Sequence, residues 1–552
     1  MRTLTSPDLR LHQYIINLIE FFTVAHVNVN GQYRWLGLHD QPHHNPQLVG
    51  GRYSLMQQEA DVFNLAGRLF KRVLMGGLTV GLTGCMGMAA VGPDYETPVM
   101  PVPAQWQEYA VPKDVFDPTA QPTLAQWWQQ FNDPDLDWLI ETALKDDLSI
   151  AQAQARLQQA RANRTQAVSA LYPEIGTSVR ATPTFYGAPE SERPDTTQYD
   201  AQFDAAWEID IFGRTRRSIE AAEAVAQSSE ASLDNIRVSV AAEVAQNYVE
   251  LRNSQERLSI AQRNLASQAE TLQMAQWRHQ AGLARQTDVA QARASLEQTR
   301  ASLPDLQIEL ARANNRLSVL TGQAPGAVNE RLANRKSLPS LPDTIATGIP
   351  VNVLTQRPDL RVAERDLAAE TARIGQAMAK RYPSLNLGGS LGWTAFTLSG
   401  IGPANSLIGV LAGTLSGTLF DAGRLRSEVD AQTAVQEQAL FNYEQTVLQA
   451  LEEVENALIS HALSRQRVQA WSFSAQASAS AAQQSRQLYQ SGLVDFEQVL
   501  ITERSQLNAQ ESLARAQATE LITLIQLYKA LGGGWQDAPA VIDEPVLDNA
   551  AS

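Results

Sequence analysis

From Tyr199 to Ile211 the chain alternates. Tyr199, Ala201, Phe203, Ala205, Trp207, Ile209 and Ile211 hold the odd positions, and Asp, Gln and Glu hold nearly all the even ones. A period of two over such a run is a strand with one apolar and one wet face. About 9–11 residues let a tilted strand cross a bilayer, so the pattern fits a membrane strand better than the half-buried strand of a soluble sandwich. Tyr199 and Trp207 then suit an interfacial aromatic girdle. A partner strand is expected over residues 174–186. Two more are expected over 385–396, which places Trp393 as a third girdle residue, and over 407–420, where Leu and Gly alternate. The last run is too short for a spanning helix, and glycines at spacing two suit a strand.

Elsewhere the period lengthens. Residues 214 to about 280 contain neither Pro nor Gly and predict a helix about 100 Å long. Val244, Leu251, Leu258, Leu265 and Leu272 recur every seven residues, and Leu440, Val447, Val454 and Val468 repeat that spacing, with His461 a polar break in the stripe rather than a ligand. Heptads sustained this far predict laterally packed helices. The long helices turn at Gly282-Leu283 and Gly492-Leu493 and return as shorter helices over 286–321 and 495–531, the first expected to kink at Pro304. Helices over 135–170 and 357–381 stack end to end with the short ones to match the long ones. Pro- and Gly-rich stretches over 323–350 and 533–552 are expected outside this wall as a belt.

The two sets of elements are one pattern written twice. Tyr172-Pro173 recurs as Tyr382-Pro383, Gly213-Arg214 as Gly423-Arg424, Glu243-Val244 as Glu453-Val454, Gly282-Leu283 as Gly492-Leu493 and Gly322 as Gly532, always 210 residues on. An internal repeat of this length dictates the architecture. It gives a first structural repeat over 135–335 (helix, two strands, long helix, short helix) and a second over 336–535, with a C-terminal tail over 536–552. Each chain then offers four strands, too few to close a barrel, and open edges facing lipid would leave amides unpaired at several kcal/mol each. The chain must oligomerise. Three copies supply 12 strands, an even number within the range of outer-membrane barrels.

Composition narrows the partners. A net charge of −15 over 552 residues argues against nucleic acid. The single cysteine, Cys85, excludes an intrachain disulfide. Arg68, Lys71 and Arg72 precede a short apolar run, Val73 to Thr83, which ends in Leu82-Thr83-Gly84-Cys85. This reads as a secretory signal over 67–84, and its last residues resemble the bacterial lipobox, in which the Cys is lipidated and becomes the new N-terminus. Met86 follows rather than Asp, which favours sorting to the outer membrane. Two or three acyl chains hold firmly, at about 0.8 kcal/mol per buried CH₂. Residues 1–66 read as an upstream extension from a start placed too early, with Met56 nearer the expected one, and 85–134 as a lipidated, Pro-rich tether.

Five motifs in order now carry a resemblance. They are Val91-Gly92-Pro93-Asp94-Tyr95; Trp127-Trp128 with Phe131-Asn132-Asp133-Pro134; Trp207-Glu208-Ile209-Asp210-Ile211-Phe212-Gly213-Arg214; Arg357-Pro358-Asp359-Leu360-Arg361 with Glu364; and Leu527-Tyr528-Lys529-Ala530-Leu531-Gly532-Gly533-Gly534-Trp535. Over about residues 85–540 the chain resembles the outer-membrane efflux protein family, the TolC-like outer-membrane factors, and within it the lipoprotein branch paired with resistance-nodulation-division pumps. The resemblance implies a mixed α and β membrane protein. A homotrimer would form a 12-stranded β-barrel in the outer membrane, continuous with a periplasmic α-helical barrel. An inner-membrane pump and a periplasmic adaptor (membrane-fusion) protein would dock at the closed tip and open it. Outer-membrane lipid surrounds the barrel, and no cofactor is expected beyond the covalent lipid on Cys85.

Family members narrow the tip with acidic residues near the glycine turns, commonly an Asp in a Leu-Leu-Asp-Ala run. That run is Val499-Leu500-Ile501-Thr502 here, so the Asp is replaced by Ile501. Asp495, Glu497 and Glu503 remain nearby, with Arg285 and Asp288 after Gly282. These are candidate aperture residues or a solvated helix-turn surface. Carboxylates repeated by threefold symmetry would select cations. The Arg214, Arg216 and Arg217 cluster is either an anchor at the membrane-periplasm junction or ordinary surface charge. No phosphate loop, His-Glu-x-x-His or clustered His/Cys set suggests an enzyme. The function implied is a passive export duct for drugs or other small toxic compounds. The alternatives are a duct for type I protein secretion or metal efflux, or a non-conducting periplasmic helical scaffold.

Overall fold

The computed structural model describes residues 90–103, 106, 116–117, 124–186, 195–334, 336–342, 345–346 and 356–535. The upstream extension, the signal segment, Cys85 and the tail over 536–552 lie outside the described residues. The chain divides into two compact units. One joins the segment ending at Gly92 to Gln166–Arg217 and Gly375–Glu428, and the other joins Pro93–Thr165, Ser218–Ile374 and the chain from Val429. Each unit therefore takes matching pieces from both copies of the repeat.

In chain order the elements are β1 (Phe116–Asp117), α1 (Pro134–Asp146), α2 (Leu148–Ser169), β2 (Glu174–Thr184), β3 (Thr196–Ile209), α3 (Arg214–Gln280), α4 (Gln286–Leu320), α5 (Asn329–Leu332), β4 (Ile345–Ala346), α6 (Pro358–Ala379), β5 (Ser384–Ala395), β6 (Leu407–Ser416), α7 (Arg424–Gln490) and α8 (Phe496–Ala530). The repeat is exact in the helices. α2 and α6 have 22 residues each, α3 and α7 67, and α4 and α8 35. α4 runs unbroken through Pro304.

One helix was expected over 135–170, and two form. Asp147 adopts an extended conformation (φ −66°, ψ 132°) between α1 and α2. Its Oδ1 accepts from the backbone N–H of Ser149 at 2.8 Å and of Ile150 at 3.2 Å, as an N-cap side chain does. The expected end-to-end stacking is present at both junctions. Gly322 (φ +70°) lies so close to Asp146 that a Cβ would sit 2.3 Å from its carbonyl oxygen, and Gly532 (φ +80°) lies against Arg357. Arg357 completes the second joint by donating from Nη1 to the Ala530 carbonyl at 2.7 Å and from Nη2 to Asp359 at 2.6 Å and Glu453 at 2.7 Å.

The helical unit has its main core around Trp127, Phe131, Leu139, Leu251, Leu317, Val454, Leu524 and Tyr528. Trp127 stacks on Tyr528 with ring centroids 5.3 Å apart. The Gly533-Gly534 part of the expected belt is instead buried in this core. The Gly534 N–H donates to the Leu124 carbonyl at 2.8 Å, and a Cβ at Gly533 would meet Trp127 at 2.9 Å. Arg252, 1% exposed, donates to Asp135 Oδ2 (2.9 Å), Tyr248 Oη (3.0 Å), Gln255 Oε1 (2.9 Å) and the Asn334 carbonyl (2.8 Å). Tyr248 Oη donates to Asp133 Oδ2 at 2.6 Å. The Asn132-Asp133-Pro134 motif is thus a helix cap wired to a buried guanidinium. His461 is also buried, and its Nδ1 donates to the Glu520 carbonyl at 3.3 Å. Burial pulls the imidazole down to about 4, so it sits in the core as a neutral ring.

The other unit holds a four-stranded antiparallel sheet in the order β2-β3-β5-β6. β6 ends at Ser416, short of the expected Phe420. Its last pairing is Ser384 with Ser416. The next partner would be Pro383, which has no N–H to give, and Gly417 packs on its ring.

Candidate functional site

The strands of the sheet unit have 11, 14, 12 and 10 residues, the length a tilted membrane strand needs. Their registers put every alternating row in phase. Val179, Ala201, Trp393 and Leu407 form one cross-strand row; Thr177, Phe203, Leu391 and Gly409 the next; Ile175, Ala205, Gly389 and Leu411 a third. On the opposite face Thr394 Oγ1 donates to Asp200 (2.8 Å), Ser178 Oγ to Asp204 (2.7 Å) and Gln202 Nε2 to Asp204 (2.8 Å). One face is apolar, and the other is a hydrogen-bonded polar surface across β2, β3 and β5, to which β6 adds Ile408, Val410 and Ala412. Tyr199 and Trp393 lie towards one end of the apolar face and Trp207 towards the other, where its Nε1 donates to the Leu171 carbonyl at 2.9 Å. Eight residues of strand separate Tyr199 from Trp207, about 26 Å at 3.3 Å per residue, close to the height of a barrel's apolar band. Among the described residues no helix is long and apolar enough to cross a membrane.

Where β3 meets α3, the three arginines have separate partners. Arg214 pairs with Glu208, and Arg216 with Asp210 at 3.3 Å. Arg217 is buried and donates from Nε to the Val91 carbonyl and from Nη2 to the Gly92 carbonyl, both at 3.2 Å. Gly92 (φ +100°) crosses Gly375 so closely that a Cβ would be 2.5 Å from its Cα. The Val91-Gly92 motif is therefore a strap pressed against a helix backbone, while a Cβ at Gly375 would meet the Arg217 side chain at 2.8 Å.

In the helical unit, the turns at Gly282 (φ +74°) and Gly492 (φ +77°) are equivalent caps. Leu283 N donates to the Arg278 carbonyl (2.7 Å) and Leu493 N to the Leu488 carbonyl (2.9 Å), the six-to-one bond of a Schellman motif with glycine in the left-handed position. After Gly282, Arg285 is exposed at the helix N-cap, and Asp288 turns back to accept from the Arg285 N–H at 3.1 Å. Asp288 is buried by that role. Asp495 and Glu497 are exposed, whereas Glu503 is buried and accepts from Thr271 Oγ1 at 2.8 Å. Burial pushes the Glu503 carboxyl up from its ordinary value. Ile501 is exposed.

Sequence reasoning passed over Arg278. Its guanidinium lies 4.6 Å over the Tyr489 ring and donates to the Tyr489 carbonyl at 2.7 Å, so α3 caps the end of α7. Around it Ala275, Val289, Tyr489, Phe496 and Val499 make a small apolar cluster that binds the two hairpins together. The signal was its place, a base in the last turn of a helix beside exposed carbonyls.

Two stretches, residues 139–323 and 349–533, match the outer membrane efflux protein family. The second begins and ends 210 residues after the first, the offset of the repeat. The chain belongs to the outer membrane efflux protein family. This efflux channel is 31% identical to nodulation protein T of Rhizobium leguminosarum bv. trifolii, over 82% of its own length and 95% of the relative. It is 32% identical to the pyoverdine export outer membrane protein OpmQ of Pseudomonas putida, over 79% and 93%. Among solved structures it is similar to the outer-membrane channel OprN, with a TM-score of 0.76 and 36% identity over 81% of this chain and all of that one. The efflux channel is an outer-membrane protein of mixed α and β structure.

Proposed function

We propose that three copies close a 12-stranded barrel through the free edges of β2 and β6, and that this trimer is the passive outer-membrane exit of a tripartite pump for drugs or other small toxic compounds. The observation that carries the reading is the sheet itself. Four bilayer-length strands present an unbroken apolar face, yet both outer strands keep unpaired edges within the chain, and such edges do not survive in lipid. Along α7, Val435, Phe441, Leu448, Leu463, Trp471, Phe473 and Leu488 are also exposed, apolar surface that a neighbouring copy would cover.

In this reading a periplasmic adaptor and an inner-membrane pump engage the glycine turns. Asp495 and Glu497, repeated three times, supply the acidic aperture. Cys85 carries the lipid. It lies five residues before Ala90, which packs on Gly213 at the strand-to-helix junction, and five residues reach at most about 18 Å. Acyl chains would therefore enter the membrane near the end of β3. Relatives at similar identity carry names as different as nodulation and pyoverdine export, so the pump rather than the duct is the element that selects cargo. The test is planar-bilayer recording on the purified lipoprotein with mass determination in detergent. A trimer with cation-selective conductance is expected, and a monodisperse, non-conducting monomer would reject the proposal.

A further inference from the structure

Below the exposed turns, the tip buries a carboxylate that the aperture does not need. Glu503, about two turns into α8, is 4% exposed. Its Oε1 accepts from Thr271 Oγ1 of α3 at 2.8 Å, while Oε2 has no hydrogen-bond partner among the described residues. Gln268, one turn back from Thr271 on the same side of α3, is 5% exposed, and its Oε1 is likewise without a donor. Two buried acceptors with no donor are costly, and a protonated carboxyl would supply the O–H that this packing lacks.

The charged group facing Glu503 is Arg486 of α7. Its Nη1 lies 4.0 Å from Glu503 Oε1 and donates instead to Ser267 Oγ of α3. α3 faces this point with Ser267, Gln268 and Thr271, none of which titrates. On α8 itself the side chains one turn away are Val499, Leu500, Gln506 and Leu507, which do not titrate either. Arg486 thus stands between an acceptor on the first hairpin, α3–α4, and a carboxyl on its own hairpin, α7–α8.

We propose that Glu503 is a proton switch for the packing of the two hairpins: protonated, it leaves Arg486 tied to Ser267 across them, and ionised, it draws Arg486 into a pair within the second hairpin. The step is proton exchange with periplasmic water. The O–H of Glu503 gives its proton to solvent, the guanidinium leaves the serine hydroxyl, and a carboxylate–guanidinium bond of about 2.8 Å forms, a shift of about 1 Å from the present separation. The sign follows from burial, which raises this carboxyl's pKa. The cross-hairpin tie is complete at acid pH and is lost as pH rises through the raised value. The proposal takes its consequence for transport from the conduit reading, but the switch is a property of the tip alone.

Hydrogen–deuterium exchange of the full-length protein in lipid nanodiscs reads it directly. Peptides covering Asn264–Gln280 and Ala482–Arg504 are compared at about pH 5 and about pH 8, after correction for intrinsic rates. Wild type should open about tenfold more at the higher pH. Glu503→Gln, which keeps a neutral donor, should stay protected at both. Ser267→Ala, which removes the cross-hairpin acceptor, should be open at both and keeps the test decisive if the Gln variant fails to assemble. A wild type flat with pH, or a Gln or Ala variant with the full wild-type pH step, overturns the switch. Bilayer conductance separates the two readings. A chain that shows the exchange step but never conducts rejects the conduit and keeps the switch, while one that conducts without any pH step in exchange rejects the switch alone.

Discussion

Helices α3 and α7 have equal length and equivalent places in the repeat, but their surroundings differ. Among the described residues, α3 leaves Trp277 as its one exposed large apolar side chain, whereas α7 exposes Val435, Phe441, Leu448, Leu463, Trp471, Phe473 and Leu488. α3 also buries polar side chains in bulk, Arg252, Asn253, Gln255, Asn264, Gln268 and Thr271 among them. The repeat fixes backbone length and turn geometry, and each copy's side chains then follow what lies beside it. α3 packs on its own chain and can hold a precise polar network there. α7 keeps apolar side chains exposed along its length, the kind of surface that tolerates a partner arriving after folding.

This contrast can be broken most severely on α7. The double change Phe441→Glu and Leu448→Glu should abolish the trimer in light-scattering mass measurements while leaving the helical content seen by circular dichroism. Leu251→Ala on α3 should instead cost about 2–5 kcal/mol in folding, with an unchanged mass for whatever folds. Arg252→Met comes next. Lys336 and Arg331 still pair with Asp135 and Tyr248 still donates to Asp133, so the loss falls on Gln255 Oε1 and the Asn334 carbonyl, two buried acceptors left without a donor at about 1–3 kcal/mol each. Position 462, its counterpart in the second copy, is already Ala, so no equivalent loss exists on α7. Denaturant midpoints measure both.

Glycine substitutions sharpen the comparison of joints with tips. Gly322→Ala drives a Cβ to within 2.3 Å of a backbone oxygen and should cost about 2–4 kcal/mol, strain and clash together. Gly282→Ala meets open space and should cost about 1 kcal/mol, the left-handed penalty alone. The smallest effect at neutral pH is at His461, whose contribution shows only in acid. Its folded value of about 4 lies below the ordinary 6.5, so the unfolded chain binds the extra proton. Stability from the neutral ring is full above pH 6.5 and is lost as pH falls from there towards 4. His461→Leu should flatten that part of a melting-temperature profile.

Much of this architecture was legible in the residues because periodicity is a one-dimensional record of burial. The phase of β3, the limits of α3 and both glycine turns all follow from spacing. The break at Asp147 did not, because a capping Asp inside an apolar-periodic run looks like one more polar position until its side chain is seen folded back. The early end of β6 depended on Pro383, a residue on the partner strand. At the tip, sequence placed the acidic residues but not their exposure. Asp288 folds back to cap its own helix and Glu503 aims into helix packing, and only the fold brings Thr271 and Arg486, each more than 15 residues away in the chain, against Glu503. The strap of Val91 and Gly92 was readable as a motif and not as a crossing, since its reason is Gly375.

The unbroken phase of the sheet rows also sets a rule for how this protein can change length. One residue gained or lost early in β3 would rotate every later side chain of that strand to the other face, carrying Asp200 or Asp204 into lipid and Phe203 into the pore. Insertions in β3 are therefore tolerable only in pairs, and odd changes must be absorbed in the connections. Natural variation in barrel length should come in even steps.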